Sequence, residues 1–133
     1  MKAAGSAVHV LVGLICDAEG RWLINSRRPG TDMEGFWEFP GGKSCAGEER
    51  FDALRRELNE ELGIEVLQAV PLIELVHDYP HQRVRLDVWR VLNYRGAIGA
   101  REGQLLRWVA AEQLEDAGLL PADRPIVAAL LAS

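Results

Sequence analysis

The chain has 133 residues, of which 48% are hydrophobic and 26% are charged, as in soluble globular proteins. This length predicts one domain over residues 1–133. The net charge of −5 argues against broad binding to nucleic acid polymers, which requires a positive surface. It permits one anionic ligand held through metal cations. The start, residues 1–6, does not resemble a secretory signal, and no apolar run approaches the about 20 residues that cross a bilayer. We therefore expect a cytoplasmic protein without membrane contact.

The first third of the chain predicts short strands separated by loops. Residues 8–16 form a nearly unbroken apolar run, which predicts a buried strand with Cys16 as a small core residue. A turn at 17–20, a strand at 22–26, a loop at 27–35 and an extended segment at 37–39 that stops at Pro40 follow. Cys45 lies in the next loop, and the two cysteines match no metal motif.

From Glu48 onward the apolar period becomes helical. Phe51, Leu54, Leu58 and Leu62 fall at i, i+3, i+7 and i+11, the spacing of one helical stripe. Gly63 follows as a natural helix terminator. The pattern predicts an amphipathic helix that ends at this glycine.

The second half of the chain predicts further strands and a terminal helix. Strands fit residues 71–79, 83–91 and 105–109, and residues 83–91 alternate as in a half-exposed strand. Short helical segments fit residues 111–116 and 125–131, the latter with Pro near its start. His81, between two strands, is expected to be exposed. The combination favours an α/β fold, a mixed sheet packed between helices.

The helix also carries an acidic edge. Glu57, Glu60 and Glu61 fall within a sector of roughly 100°, beside the apolar stripe. Such close carboxylates repel one another, but Mg²⁺ requires a few of them together with phosphate oxygens and waters. The alternative is a solvated helix face. The preceding Gly41 and Gly42, which allow close backbone approach, and Arg56, placed to orient Glu57, favour the functional interpretation.

The segment resembles a known signature. It reads Gly42, five residues, Glu48, seven residues, then Arg56-Glu57-Leu58-Asn59-Glu60-Glu61-Leu62-Gly63-Ile64. This matches the Nudix hydrolases, whose pattern is Gly, five residues, Glu, seven residues, Arg-Glu-U-x-Glu-Glu-x-Gly-U, with U a bulky aliphatic residue. The match fixes nine positions over 23 residues, so it is far more specific than a lone glycine motif.

The resemblance implies a fold, a cofactor and a reaction. The fold would be an α/β/α sandwich with a mixed sheet, and the reaction would be hydrolysis of a phosphoanhydride. The ligands implied for Mg²⁺ or Mn²⁺ are Glu57, Glu60, Glu61 and the Gly41 carbonyl. Glu48 would hold the loop at the helix start, and Arg56 would orient Glu57. Glu57, Glu61 and Glu102 are candidates for accepting the proton of the attacking water, and the sequence does not rank them.

Beyond the signature, the chain resembles the MutT branch, which hydrolyses oxidised guanine nucleotides. The matching stretches are residues 24–28, 37–43, 102–104 and 120–126. The resemblance implies that Arg28 contacts the α-phosphate or sugar and that Phe39 lines the base pocket. It also implies that Glu102 joins the metal site. The alternatives are an exposed loop charge for Arg28 and ordinary core packing for Phe39.

Two positions depart from this branch. Asp123 replaces an Asn that can both donate to and accept from a base edge. An ionised Asp only accepts, a protonated one could do both, and Asp123 could instead cap the last helix. Gln82 replaces an Arg, for which the adjacent Arg83 could substitute. Tyr79, in the same turn, is a further candidate for contact with the substrate.

These observations favour a nucleoside triphosphate pyrophosphohydrolase, with an oxidised guanine nucleotide such as 8-oxo-dGTP as the leading substrate. Another diphosphate is the second hypothesis: a dinucleotide polyphosphate, a nucleotide sugar or ADP-ribose. A nucleotide-binding sensor without catalysis is the third. The expected partner is the small nucleotide, and the chain is expected to be a monomer or weak homodimer.

Overall fold

A computed structural model describes residues 7–132. Within that range the chain forms seven strands, two α-helices and one 3-10 helix. In chain order these are β1 Val8–Leu14, β2 Arg21–Ser26, β3 Trp37–Glu38, β4 Gly41–Lys43, α1 Arg50–Leu62, β5 Glu65–Tyr79, β6 Gln82–Arg95, β7 Leu106–Ala110, the 3-10 helix Ala111–Asp116 and α2 Arg124–Ala132. Neither α-helix in the described range has the length and apolar character needed to cross a membrane.

The strands form two sheets. The larger has the order β4-β1-β6-β5 and is mixed, because β1 and β6 run parallel whereas the other pairs are antiparallel. The smaller is antiparallel, with the order β3-β2-β7. The Leu23 N–H donates to the Ile15 carbonyl over 3.0 Å and joins β2 to the residues that follow β1.

Each α-helix covers a different core. On one side, α1 packs its apolar stripe against Leu11, Leu23 and Trp89. On the other side, α2 and the 3-10 helix enclose a second core with Val12 and Val88. Alternate residues of β1 point into the two cores. This arrangement confirms the predicted α/β fold with a mixed sheet between helices.

Helix α1 forms as the periodicity predicts. Its stripe residues Leu54, Leu58 and Leu62 are fully buried. Gly63 ends the helix with a φ of 75°, and its N–H donates to the Asn59 carbonyl over 2.9 Å. Only a residue without a Cβ adopts this left-handed conformation without strain.

Several expectations about strands are wrong. Cys16 is exposed rather than in the core. It lies beyond the end of β1 at Leu14, and its side chain points away from the core that the adjacent Ile15 enters. The residues Gly41–Lys43, for which no strand was predicted, form a strand with β1. The alternation in β6 does not mark an exposed face, because α1 covers it and leaves Asp87 and Trp89 buried.

Strand boundaries also differ from the sequence patterns. β5 begins six residues before the expected start at Pro71, and β6 extends to Arg95. Pro71 is tolerated because β5 is an edge strand, with a register shift between Pro71 and Ile73. Leu105 precedes β7 and is 66% exposed.

Candidate functional site

A cavity of about 650 Å³ opens between the acidic edge of α1, strands β3 and β4, the β5–β6 turn and the segment before α2. It is lined by every predicted site residue except Arg56, which lies behind its wall. These lining residues are Arg28, Phe39, Gly41, Glu57, Glu60, Glu61, Tyr79, Gln82, Glu102 and Asp123. The structure therefore brings together residues from six separate segments of the chain.

Strand β4 lies against the acidic edge, and both of its glycines are required there. A Cβ on Gly42 would lie 2.1 Å from Glu57 Oε2, so any side chain would displace that carboxylate. Gly41 has a φ of 153°, and a Cβ there would lie 1.9 Å from the Leu11 carbonyl oxygen. Its N–H donates to Glu61 Oε1 over 3.2 Å. The two glycines thus let the backbone approach the carboxylates closely.

The acidic edge grades from buried to exposed. Glu61 is 8% exposed, whereas the Glu60 side chain is 51% exposed. Burial raises the pKa of Glu61 to about 8; the nearby negative charge of Glu38 adds to the effect and the Gly41 N–H opposes it. Burial also raises the pKa of Glu57, against the hydrogen bond and charge of Arg56. The raised pKa values mean that the surroundings of Glu57 and Glu61 disfavour their negative charge. A cation bound between these carboxylates would stabilise that charge.

Arg56 ties the acidic edge to the loop before α1. Its Nε and Nη2 donate to the two oxygens of Glu48 over 2.8 and 2.9 Å. Its Nη1 donates to Glu57 over 2.9 Å and to Glu60 over 3.2 Å. The Cys45 N–H also donates to Glu48 over 2.9 Å. These hydrogen bonds connect Arg56 and Glu48 to the acidic edge, and the roles that the resemblance implies for the two residues stay predictions.

The donor set of the acidic edge fits a hard divalent cation. It offers carboxylate oxygens and a backbone carbonyl, the ligands that Mg²⁺ prefers. The adjacent backbone at Gly41 and Gly42 comes so close that a Cβ at either position would collide with its neighbours. Among residues 7–132, no three or more His, Cys, Asp or Glu side chains are gathered tightly enough to hold a metal as they stand. Arg56 engages Glu57 and Glu60, and Gly41 engages Glu61. The carboxylates must therefore reorient to share one cation.

The loop that carries Glu102 is fixed to the end of α1. The Gln104 side chain donates to the Glu61 carbonyl over 3.0 Å, and the Arg101 N–H donates to the same oxygen over 3.0 Å. The Glu102 N–H in turn donates to Gln104 Oε1 over 2.9 Å. This loop places a further carboxylate on the cavity wall beside the acidic edge.

The opposite wall of the cavity is apolar with a buried acid. Phe39 is 3% exposed and belongs to the core as well as to the cavity wall. Core packing is therefore confirmed, and contact with a base stays a prediction. Asp123 is 5% exposed, and its Oδ2 accepts a 2.9 Å hydrogen bond from the Phe39 N–H, not from an amide of α2. Burial raises the pKa of Asp123 to about 7, although this hydrogen bond lowers it. Tyr79 Oη accepts the Ala122 N–H over 3.2 Å.

The rim of the cavity carries the remaining predicted residues. Arg28 is exposed at the cavity mouth, which agrees with both a loop charge and a phosphate contact. Gln82 lines the cavity. Arg83 does not substitute for it there, because adjacent strand residues point to opposite faces, and Arg83 pairs with Asp78 instead. His81 is exposed as expected, but it also borders the cavity and lies 3.4 Å from Asp32.

Two cavity residues escaped the sequence analysis. Glu38 lines the cavity between the acidic edge and Asp123; burial raises its pKa, and Arg27, 3.5 Å away, opposes that shift. Asn25, its partner across the β2–β3 pair, is 3% exposed, and its Oδ1 is buried without a hydrogen-bond partner. Glu38 directly precedes Phe39 within the stretch 37–43, which was the available signal.

Comparison with known proteins places this geometry in a family. The family description "NUDIX domain" matches residues 11–129. The chain belongs to the NUDIX domain family. Its similarity to an 8-oxo-dGTP diphosphatase of Proteus vulgaris is 38% identity, over 72% of this chain and 86% of that protein. Its similarity to a CTP pyrophosphohydrolase of Escherichia coli strain K12 is 34% identity, over 92% of this chain and 90% of that one.

A solved structure shares this Nudix fold. The chain is similar to a solved MutT structure from work on the MutT proteins of Aliivibrio salmonicida and Vibrio cholerae. The TM-score is 0.82 and the sequence identity is 33%. The similarity covers 96% of this chain and 98% of that one. The Nudix assignment agrees with the signature on α1 and its preceding loop. Nudix hydrolases in general depend on divalent metals, which accords with the oxygen donors of the acidic edge.

Proposed function

We propose that this Nudix protein is a Mg²⁺-dependent pyrophosphohydrolase that converts a nucleoside triphosphate to a nucleoside monophosphate and pyrophosphate. The observation that carries the proposal is one cavity with an acidic, oxygen-rich wall formed by α1 and an apolar wall at Phe39. Such a cavity accommodates a metal-bound polyphosphate at one side and a base at the other. Mn²⁺ has similar ligand preferences and is expected to substitute.

The chain's own residues supply positioning and charge. In this proposal Glu57, Glu60, Glu61 and the Gly41 carbonyl hold the cation, which when bound neutralises phosphate charge and lowers the pKa of an attacking water. Arg56 keeps Glu57 oriented, and Arg28 contacts the phosphates at the cavity mouth. Water oxygen forms a bond to phosphorus as the phosphoanhydride bond breaks. Its proton passes to Glu57, Glu61 or Glu102.

The leading substrate is an oxidised guanine nucleotide such as 8-oxo-dGTP. The Proteus vulgaris relative is named for this substrate. Asp123 supports it as well, because a carboxylate can accept a hydrogen bond from the N7–H that 8-oxo-purines carry and guanine lacks. The Phe39 N–H already engages Oδ2 of Asp123. This fixes the carboxyl group at the end of the cavity away from α1.

A cytosine nucleotide is the second candidate. The Escherichia coli relative is named a CTP pyrophosphohydrolase, and its similarity spans 92% of this chain. Ionised Asp accepts well from the exocyclic N4 amine of cytosine, whereas it would repel the O6 of guanine, which 8-oxoguanine also carries. The exchange of the expected Asn for Asp123 therefore favours this candidate more than it favours ordinary guanine.

A panel of substrates at fixed Mg²⁺ tests the proposal. It compares kcat/KM for 8-oxo-dGTP, dGTP, CTP and dCTP, with a dinucleotide polyphosphate, a nucleotide sugar and ADP-ribose as other diphosphates. We expect 8-oxo-dGTP or a cytosine nucleotide to lead, with pyrophosphate as product. Glu60→Gln should abolish turnover but retain nucleotide binding. Glu112→Gln, which changes an exposed glutamate far along the chain, is the control and should retain both turnover and binding.

The outcomes separate the alternatives. Preference for another diphosphate would refute the triphosphate assignment. A wild-type protein that binds nucleotides but hydrolyses none would indicate a sensor. We further propose that the chain acts as a monomer or weak homodimer, which sedimentation would establish.

A further inference from the structure

A buried acid in the sheet, away from the cavity, connects both ends of the loop before α1. Asp87 in β6 is 0% exposed. Arg50 donates to both of its oxygens over 2.7 Å. His9 Nε2 lies 2.8 Å from Oδ2, and the Trp89 indole N–H donates to Oδ1 over 2.9 Å. Burial would raise the pKa of Asp87, but these hydrogen bonds and the charge of Arg50 lower it. Asp87 is therefore an ionised acceptor.

The network continues from His9 to the end of β4. Because ionised Asp87 has no proton to donate, His9 Nε2 must donate to it. In the neutral imidazole, Nδ1 then accepts from the Ser44 hydroxyl, 3.1 Å away. The Ser44 N–H also donates to the His9 carbonyl over 3.0 Å. Ser44 directly follows β4, which carries Gly41 and Gly42.

The other branch of the network reaches the start of α1. Arg50 is the first residue of that helix, and its guanidinium stacks over the Trp89 ring at 5.0 Å. Phe51, the next residue, packs against the same ring with 5.9 Å between centroids. One carboxylate thus connects the strand that approaches the acidic edge with the helix that bears it. A Cβ on Gly42 in β4 would lie 2.1 Å from Glu57 Oε2 on α1, so the spacing of these two elements leaves no room for a side chain at this position.

Stability alone is a weak reason for such an arrangement. A buried charge contributes little net stability compared with an apolar residue of similar volume, because it loses its hydration. Here this cost falls on Asp87, whose side chain is 0% exposed, more than on Arg50, whose side chain is 44% exposed. Asp87 pairs across the sheet with Leu11 and lies next to Trp89, two residues of the core that α1 covers, so its charge is placed in apolar surroundings. Its hydrogen bonds instead fix how the residues at the end of β4 and at the start of α1 are placed relative to β6, because buried polar networks can rigidify their surroundings.

We propose that Asp87, through Arg50 and through His9 and Ser44, is a positioning residue that sets β4 against α1 and thereby the affinity of the acidic edge for a divalent cation. This inference rests on the proposed function. It differs from the proposed function by assigning a role to residues that neither line the cavity nor occupy a fixed position of the Nudix signature.

The test compares Mn²⁺ binding by electron paramagnetic resonance in the wild-type protein and in Asp87→Asn, below the unfolding temperature of both. We expect Asp87→Asn to bind Mn²⁺ about tenfold more weakly, the order seen when groups that orient metal ligands are removed. Its hydrolysis rate should recover as Mg²⁺ is raised, with the KM for nucleotide at saturating Mg²⁺ unchanged. Val127→Ala, which weakens the core on the α2 side, is the matched control: it should lower Tm without changing Mn²⁺ affinity.

Each result bears on the proposal. Unchanged Mn²⁺ affinity in folded Asp87→Asn would overturn it, and so would an equal loss in Val127→Ala. If Asp87→Asn fails to fold, Ser44→Ala decides, because it removes only the hydroxyl link to His9; weaker Mn²⁺ binding supports the proposal and unchanged binding overturns it. A wild-type protein that binds no Mn²⁺ would overturn the proposed function itself, and this inference with it.

Discussion

Replacing Asp123 with Asn tests the electrostatics of the apolar wall. Burial raises the pKa of Asp123 from its ordinary value of 3.8 to about 7, and the residue is only 5% exposed. The folded protein therefore binds this proton more tightly than the unfolded chain does. By linkage, stability falls as the pH rises from about 4 to about 7, and the full penalty applies above that range.

The magnitude follows from the shift. About three pKa units at 1.36 kcal/mol each give about 4 kcal/mol, of which about 2 to 3 kcal/mol develops between pH 5 and pH 8. Asp123→Asn removes the titration and keeps an oxygen for the Phe39 N–H. Its free energy of unfolding relative to wild type should therefore rise by about 2 to 3 kcal/mol between these pH values. Titrating groups far from Asp123 are common to both proteins and cancel; Glu38, whose charge acts on Asp123, is the neighbour whose titration changes with the substitution.

Urea unfolding of both proteins at pH 5 and pH 8 measures this difference. Asp116→Asn, which alters an exposed carboxylate, is the control and should differ from wild type equally at both pH values. A difference for Asp123→Asn that does not change with pH would refute the reasoning. It would mean that the cavity hydrates Asp123 far better than its burial indicates.

Two further predictions concern the acidic edge. Gly42→Ala would place a Cβ 2.1 Å from Glu57 Oε2, so kcat/KM should fall by about tenfold or more. Gly99→Ala is the control and should leave kcat/KM unchanged, because a Cβ there would have no atom within 4 Å. Equal activities of the two variants would contradict the close approach of β4 to Glu57. Hydrogen bonds from Arg56, then from the Cys45 N–H, lower the pKa of Glu48 to about 2. In Arg56→Lys, which cannot form the paired bonds, carboxyl NMR should show that pKa rising toward 4.5, its ordinary value, and an unchanged titration would contradict the pairing.

Helix α1 was predictable from the sequence because its determinants are local. The stripe from Leu54 to Leu62 repeats with the helical period, and Gly63 supplies the left-handed residue that ends it. The acidic edge follows from the same period. The Nudix signature adds the loop from Gly42 to Glu48, so this part of the site could be placed without coordinates.

Other parts depend on contacts that local patterns do not encode. Gly41–Lys43 has low strand propensity and becomes β4 only because β1 lies beside it. The sequence pattern predicts that Asp87 is an exposed strand residue. In the structure it is buried because α1 covers it, and Arg50 pairs with it. The pairing of Asp123 with Phe39 joins residues 84 positions apart. Such contacts arise from the packing of distant segments.

The central claim is that the carboxylates of α1 share a divalent cation. Anomalous scattering from a crystal soaked with Mn²⁺ measures this directly. The account predicts a peak among Glu57, Glu60 and Glu61, about 2.1 to 2.2 Å from their oxygens, with the Gly41 carbonyl within the same distance. A map without a peak there, with Glu57 and Glu60 still held by Arg56, would contradict it.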